Sequence, residues 1–73
     1  MQLPRLKTLR QRAALSQVEL AGKADVSVAT IQRIEAGHPA RYANIRKLAA
    51  ALGVEPAALM EPAGEGEAER ASA

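Results

Sequence analysis

Apolar residues recur three or four positions apart through the first 60 residues, a spacing typical of helices that bury one face. In the first of these segments, Leu6 and Leu9 form an inward stripe with Leu3 just ahead of it. The sequence has neither the alternating pattern of strands nor an internal repeat. The pattern therefore predicts an all-α fold of five helices, roughly over 4–13, 17–24, 28–36, 41–52 and 56–60.

Each predicted helix has an expected inward face. Pro4 suits the first position of helix 1, because its ring fixes a helical φ. The basic residues expected to point outward from that helix are Arg5, Lys7 and Arg12. The apolar positions of helix 2 are Val18, Leu20, Ala21 and Ala24, and those of helix 4 are Tyr42, Ile45, Leu48, Ala49 and Leu52.

Two helix starts lie close together in the segment 16–37. Ser16 and Glu19 have the spacing of a capping box, in which each side chain satisfies a backbone N–H of the first turn. Ser27 is a second good N-cap, so the helix between them must be short. Gly37 is expected to end the next helix in the left-handed conformation. Two short helices joined by a tight turn form a helix-turn-helix.

The outer face of helix 3 has an unusual composition. Ile31 and Ile34 face inward, three positions apart. A solvated face is the ordinary role of an exposed polar pair, but such a face seldom also carries neighbouring apolar residues. Guanidinium groups suit guanine, amides suit adenine and small apolar groups suit the thymine methyl. The residues predicted to contact DNA bases are Val28, Ala29, Gln32 and Arg33.

Charge divides the chain into a basic body and an acidic end. Residues 1–60 have nine Lys and Arg against four Asp and Glu, a net charge of +5, and residues 61–73 have a net charge of −3. A basic body suits a phosphate backbone. The segment after Pro62 has no apolar periodicity, so we expect a helix-turn-helix domain over 1–61 and a disordered acidic tail over 62–73.

Composition argues against several other classes of function. The chain has no cysteine and one histidine, His38, in a predicted loop, so we expect neither a metal site nor a cofactor. Its carboxylates are scattered and no glycine-rich phosphate loop is present, which argues against an enzyme. No apolar run approaches the roughly 18 residues of a membrane span, so no membrane association is expected.

The motifs resemble the phage-repressor-like (Xre-type) helix-turn-helix family over about residues 6–60. The resemblance is carried by Arg10, Leu15-Ser16-Gln17, Glu19-Leu20-Ala21, Val26-Ser27, Ile31, Ile34-Glu35, Gly37, Leu48-Ala49 and Ala51-Leu52-Gly53-Val54. It implies a compact five-helix, lambda-repressor-like domain whose third helix enters the major groove of double-stranded DNA. It also implies a homodimer and a cytoplasmic, nucleoid-associated protein of a bacterium or phage.

The resemblance also implies roles for individual residues. Arg10 and Glu35 match a structural ion pair between helices 1 and 3. The positions that match phosphate contacts are Gln17, Ser27, Thr30, Arg41, Ala43 and Asn44. The chain departs from the family pattern at Asp25, where glycine is usual in the turn, at Gly22 within helix 2, and at Glu55 before helix 5. Asp tolerates the left-handed conformation, so the turn is expected to survive.

Two functions fit these observations. The first is a sequence-specific, double-stranded DNA-binding regulator, most simply a repressor, that acts as a homodimer. The second is a protein-interaction module, such as an antitoxin that binds a toxin through helices 3 to 5. Leu59 and Met60 either complete the core or, together with Leu52 and Val54, form a dimer seam.

Overall fold

A computed structural model describes residues 1–61, and the predicted acidic tail over 62–73 lies outside them. The described part contains helices and no strand, which confirms the all-α prediction. The five helices are α1 (Leu6–Arg12), α2 (Gln17–Ala24), α3 (Val28–Glu35), α4 (Tyr42–Leu52) and α5 (Pro56–Met60).

One fully buried side chain from each helix forms the centre of the core. These side chains are Leu6, Leu20, Ile31, Leu48 and Leu59. All five are aliphatic, as a chain with a single aromatic residue requires. Fully burying such a side chain stabilises a fold by about 1.5–3 kcal/mol. Each helix is therefore anchored to the core by its own buried side chain.

The position of Leu59 decides between the two roles left open for the C-terminal apolar residues. Leu59 is inaccessible to solvent and belongs to the core. Leu52, Val54 and Met60 are half-buried and also pack against the core. Of the two alternatives, Leu59 therefore completes the core, and Leu52, Val54 and Met60 keep only part of their apolar surface exposed.

The predicted helix boundaries around the helix-turn-helix are confirmed. Ser16 and Glu19 form a capping box, and the Ser27 side chain accepts a hydrogen bond from the Thr30 N–H. Asp25 ends α2 in the left-handed conformation, with φ 57° and ψ 48°. Gly37, with φ 104°, follows α3. These caps satisfy backbone groups that a short helix otherwise leaves without partners.

The start of α1 differs from the prediction. The helix begins at Leu6, so Pro4 lies in the preceding turn, where the Leu6 N–H donates to the Leu3 carbonyl. Arg5, expected to point outward, is only 3% exposed. The turn buries Leu3 in the core, and it carries Arg5 inward, where its N–H donates to the carbonyl of Leu59.

Two predicted core positions are exposed. Val18 is 68% exposed and Tyr42 is 67% exposed. Each lies in the first turn of its helix, ahead of the residues that face the core. The inward stripe of α2 consists of Leu20, Ala21 and Ala24, and that of α4 begins at Ile45. Spacing alone overestimated the width of both stripes.

The N-terminal residues bind the loop between α3 and α4. The Ala40 N–H donates to the Met1 carbonyl at 2.6 Å, and the Met1 nitrogen donates to the Ala40 carbonyl at 3.3 Å. Gln2 Nε2 donates to the Gly37 carbonyl at 3.0 Å. These contacts hold the loop that precedes Arg41, and no feature of the sequence indicated them.

Candidate nucleic-acid interface

The turn between α2 and α3 fixes the angle at which α3 leaves the core. The Val26 N–H donates to the Ala21 carbonyl at 3.1 Å, which closes the turn around Asp25. Lys47 on α4 donates to the Asp25 carbonyl at 3.3 Å. The Lys47 and Asp25 side chains are 4.0 Å apart and the carboxylate is almost fully exposed, so their attraction contributes little to stability.

The outer surface of α3 is accessible at three of the four predicted base-contacting positions. Ala29, Gln32 and Arg33 are exposed. Val28 is half-buried and packs against the core, so its placement wholly on the outer side was wrong. The N-terminal turn of α3 therefore contributes one residue that packs against the core and one that is exposed.

On the side of α3 that faces α2, four polar side chains form a hydrogen-bonded network. Arg10 Nε donates to Glu35 Oε2 at 2.7 Å, and Arg10 Nη2 donates to Glu35 Oε1 at 3.1 Å. Gln17 Nε2 donates to the same Oε1 at 3.1 Å. Gln32 Nε2 lies 3.5 Å from Gln17 Oε1, at the outer edge of the network. We call this set of four residues the α2-side network.

The Arg10–Glu35 pair at the centre of the network is well shielded. The Arg10 side chain is 11% exposed and that of Glu35 is 6% exposed. Arg10 Nη1 also donates to the Leu15 carbonyl at 2.9 Å. The hydrogen bond to Glu35 raises the pKa of Arg10 above its ordinary value, against the opposing effect of burial. The ion pair expected from the family resemblance is therefore present, with bidentate geometry.

Gln17 has a structural role that the sequence did not indicate. It was predicted to contact phosphate, but its amide bridges Glu35 in the network and Gln32 on the outer surface of α3. This bridge links the buried ion pair to a predicted base-contacting residue. Phosphate contact by Gln17 remains a prediction.

On the opposite side of α3, an open cleft of about 320 Å³ separates the helix from the α3–α4 loop and the start of α4. Polar side chains from both sides line it: Thr30 and Arg33 from α3, Arg41 and Asn44 from the other side. We call it the α4-side cleft. None of its lining residues is a carboxylate. A cleft lined by two arginines and by no acidic residue is suited to an anion.

The remaining predicted phosphate contacts differ in how free they are. The Ser27 hydroxyl caps α3 and lies 2.7 Å from the Thr30 hydroxyl, so both oxygens already take part in a local hydrogen bond. Ala43 is exposed in the first turn of α4, and Asn44 beside it is half-buried. The presence of Arg33 in the same cleft as Arg41 was not predicted, although its i, i+3 spacing from Thr30 was a usable signal.

Residues 1–61 contain neither a metal-binding cluster nor a membrane-spanning helix. That part of the chain has no cluster of His, Cys, Asp or Glu residues able to hold a metal ion. The longest helix in this part of the chain, α4, has 11 residues, whereas a membrane span needs roughly 18 apolar ones.

Comparison with known proteins supports the assignment of the motif. A family model described as a helix-turn-helix domain matches residues 4–63, which include all five helices. Searches of curated proteins and of solved structures gave no match for this chain. The matched segment covers most of the chain and places the capped α2–turn–α3 unit inside the family's domain. The chain therefore belongs to the helix-turn-helix domain family.

Proposed function

We propose that this protein is a sequence-specific, double-stranded DNA-binding transcriptional regulator, most simply a repressor. The observation that carries the proposal is the outer surface of α3, where Gln32 and Arg33 stand beside an exposed Ala29. A major groove about 12 Å wide admits an α-helix. In this arrangement α3 enters the groove and the flanking residues meet the sugar–phosphate backbone.

The groups on α3 favour direct contacts with base edges. The Gln32 amide can form paired hydrogen bonds with adenine, and Ala29 can contact a thymine methyl. Half-buried Val28 offers a second apolar contact at the same end of the helix. A good paired hydrogen bond discriminates against the wrong base by about 1–3 kcal/mol.

Dimerisation on DNA completes the proposal. One recognition helix contacts few base pairs, so a lone domain binds with little specificity. A symmetric pair with its third helices about 34 Å apart reaches two half-sites one helical turn apart. Because Leu59 is buried and its apolar neighbours are half-buried, the free protein is expected to be monomeric at low concentration.

Selection from random duplex DNA tests this function. We expect an inverted repeat with half-sites about one turn apart, and an affinity that falls as salt rises, because bound phosphates release counterions. Duplexes with one or two half-sites then test the dimer: equal affinity for both contradicts it. An affinity independent of salt, with no enriched sequence, contradicts DNA binding and favours the protein-interaction alternative, such as an antitoxin.

A further inference from the structure

Gln32 and Arg33 are neighbours on α3 but face different flanks of the helix. Gln32 approaches Gln17 in the α2-side network, whereas Arg33 lines the α4-side cleft. Successive helical residues are turned about 100° apart, so Gln32 and Arg33 lie toward opposite edges of the outer surface of α3. The residues predicted to contact DNA bases therefore include residues on both flanks of α3.

We propose that Arg33 and Arg41 form a two-arginine clamp for a single DNA backbone phosphate, and that Arg33 does not contact a base. This inference rests on the proposed function and assigns a role within the same surface. Direct contact with bases is left to Ala29 and Gln32, with Val28 at the edge.

Helical spacing supports the clamp. Thr30, Arg33 and Ile34 lie at i, i+3 and i+4, and all three line the cleft. Arg41 faces them from the loop end of α4, with Asn44 one turn further along. The cleft thus receives cationic and polar groups from two separate elements, an arrangement that surrounds a ligand.

Electrostatics favour the same occupant. The carboxylate of α3, Glu35, is bonded to Arg10 and Gln17 on the other flank, and the cleft lining includes no acid. Arg33 and Arg41 border the same cleft, so an anion inside it would meet positive charge from two sides. Guanidinium forks match phosphate oxygens with paired, charge-assisted hydrogen bonds. The cleft is open and, at about 320 Å³, is large enough for a hydrated phosphate.

The loop that carries Arg41 is held before any ligand arrives. Ala40, which precedes Arg41 and is itself buried, exchanges two backbone hydrogen bonds with Met1. Binding therefore needs little ordering of the loop, which reduces the entropic cost of placing the second arginine.

Four variants of the full chain test the clamp: Arg33→Ala, Arg41→Ala, the double variant and Gln32→Ala. Lys7→Ala is the matched control, because Lys7 is an exposed cation on α1 that does not line the cleft. For each, the measurements are the sequence preference from a random-duplex selection and the slope of log K against log salt. Thermal melting shows whether each variant remains folded.

The clamp predicts that Arg33→Ala and Arg41→Ala weaken binding about tenfold on every sequence and leave the selected consensus unchanged. The double variant is expected to lower the salt slope by about one, the value for one lost phosphate contact, and its affinity loss is expected to be smaller than the product of the single losses. Gln32→Ala is expected to relax one position of the consensus, and Lys7→Ala to have less effect than either arginine variant.

Three outcomes overturn the clamp. A changed base preference in Arg33→Ala alone shows that Arg33 contacts a base. A slope reduction of about two in the double variant shows two separate phosphates. Independent losses in affinity show that the arginines do not share a ligand. Failure of the unmodified protein to bind any duplex is a distinct result, since it removes the proposed function itself.

Discussion

The two flanks of α3 carry similar polar residues, but those on one flank are hydrogen-bonded within the protein and those on the other line an open cleft. On the α2 side, Arg10 is paired with Glu35 and the amide of Gln17 completes the network. On the α4 side, Arg33 and Arg41 line a cleft whose lining includes no carboxylate. A polar group whose partners lie within the fold stabilises it, whereas cations gathered without an acid are suited to an external anion.

Burial explains why the two flanks differ. Charges on the α2 side are shielded, so each requires a partner inside the protein. Arg33 and Arg41 are exposed, and water solvates them until a ligand displaces it. Substitutions on the α2 side should therefore change mainly the stability of the fold, and substitutions on the α4 side should change mainly DNA binding.

The largest expected effect is that of Glu35→Ala. The substitution leaves the shielded Arg10 without its carboxylate, and breaking a buried pair in this way costs about 3 kcal/mol. Urea unfolding measures the loss. Arg41→Ala is the control on the other flank and should change the free energy of unfolding by less than about 0.5 kcal/mol, as surface substitutions usually do.

A double variant separates the cost of an unpaired charge from the value of the pair. Arg10→Met with Glu35→Leu removes both charges and keeps apolar volume, so it should recover much of the stability that Glu35→Ala loses. Similar losses in Glu35→Ala and Arg41→Ala would contradict the difference between the flanks.

A smaller effect is expected from Gly22→Ala on α2. A Cβ at this position would meet no atom within 4 Å, so alanine fits without rearrangement. Alanine is favoured over glycine inside a helix by about 1 kcal/mol. The melting temperature should rise by roughly 4–8 °C for a domain of this size. An unchanged or lower melting temperature would show that the helix propensity of residue 22 does not limit the stability of the domain.

In the turn after α1, Ala14→Gly is expected to raise the free energy of unfolding by about 0.5–1 kcal/mol. Ala14 has φ 58°, a left-handed conformation that L-residues other than Asn and Asp seldom adopt. Glycine relieves this strain but has more freedom in the unfolded chain, which reduces the net gain. Asp25→Gly, at φ 57°, is the control and should gain less, because Asp tolerates this conformation better. Denaturant midpoints of the two variants make the comparison.

The sequence predicted what depends on local pattern. Capping residues marked the starts of α2 and α3, and Gly53 marked the end of α4, because these signals act within a few residues. The left-handed Ala14 was missed, since alanine is not a signal for that conformation.

What the sequence did not predict depends on distant contacts. Arg5 is buried because Leu3 turns into the core, and the loop before Arg41 is held by Met1, 39 residues away. The four predicted base contacts were correctly assigned to the outer part of α3 except for Val28. Their separation into two flanks required the positions of α2 and α4, which helical periodicity does not give.

The smallest expected effect concerns Glu19, the exposed carboxylate of α2, and its contribution to the loss of folding stability at low pH. The Ser16 N–H donates to Glu19 Oε1 at 3.0 Å, and with the Ser16 hydroxyl it holds the pKa of Glu19 below its ordinary value of 4.5. A carboxyl with a lower pKa in the folded state contributes stability above pH 4.5, and this is lost as pH falls through the lowered pKa. Glu19→Gln keeps an acceptor oxygen but cannot titrate. The urea midpoint should therefore fall less between pH 7 and pH 3 in Glu19→Gln than in the unmodified protein. The other carboxylates are common to both proteins, so an equal fall in both would show that the capping box does not depend on the charge of Glu19.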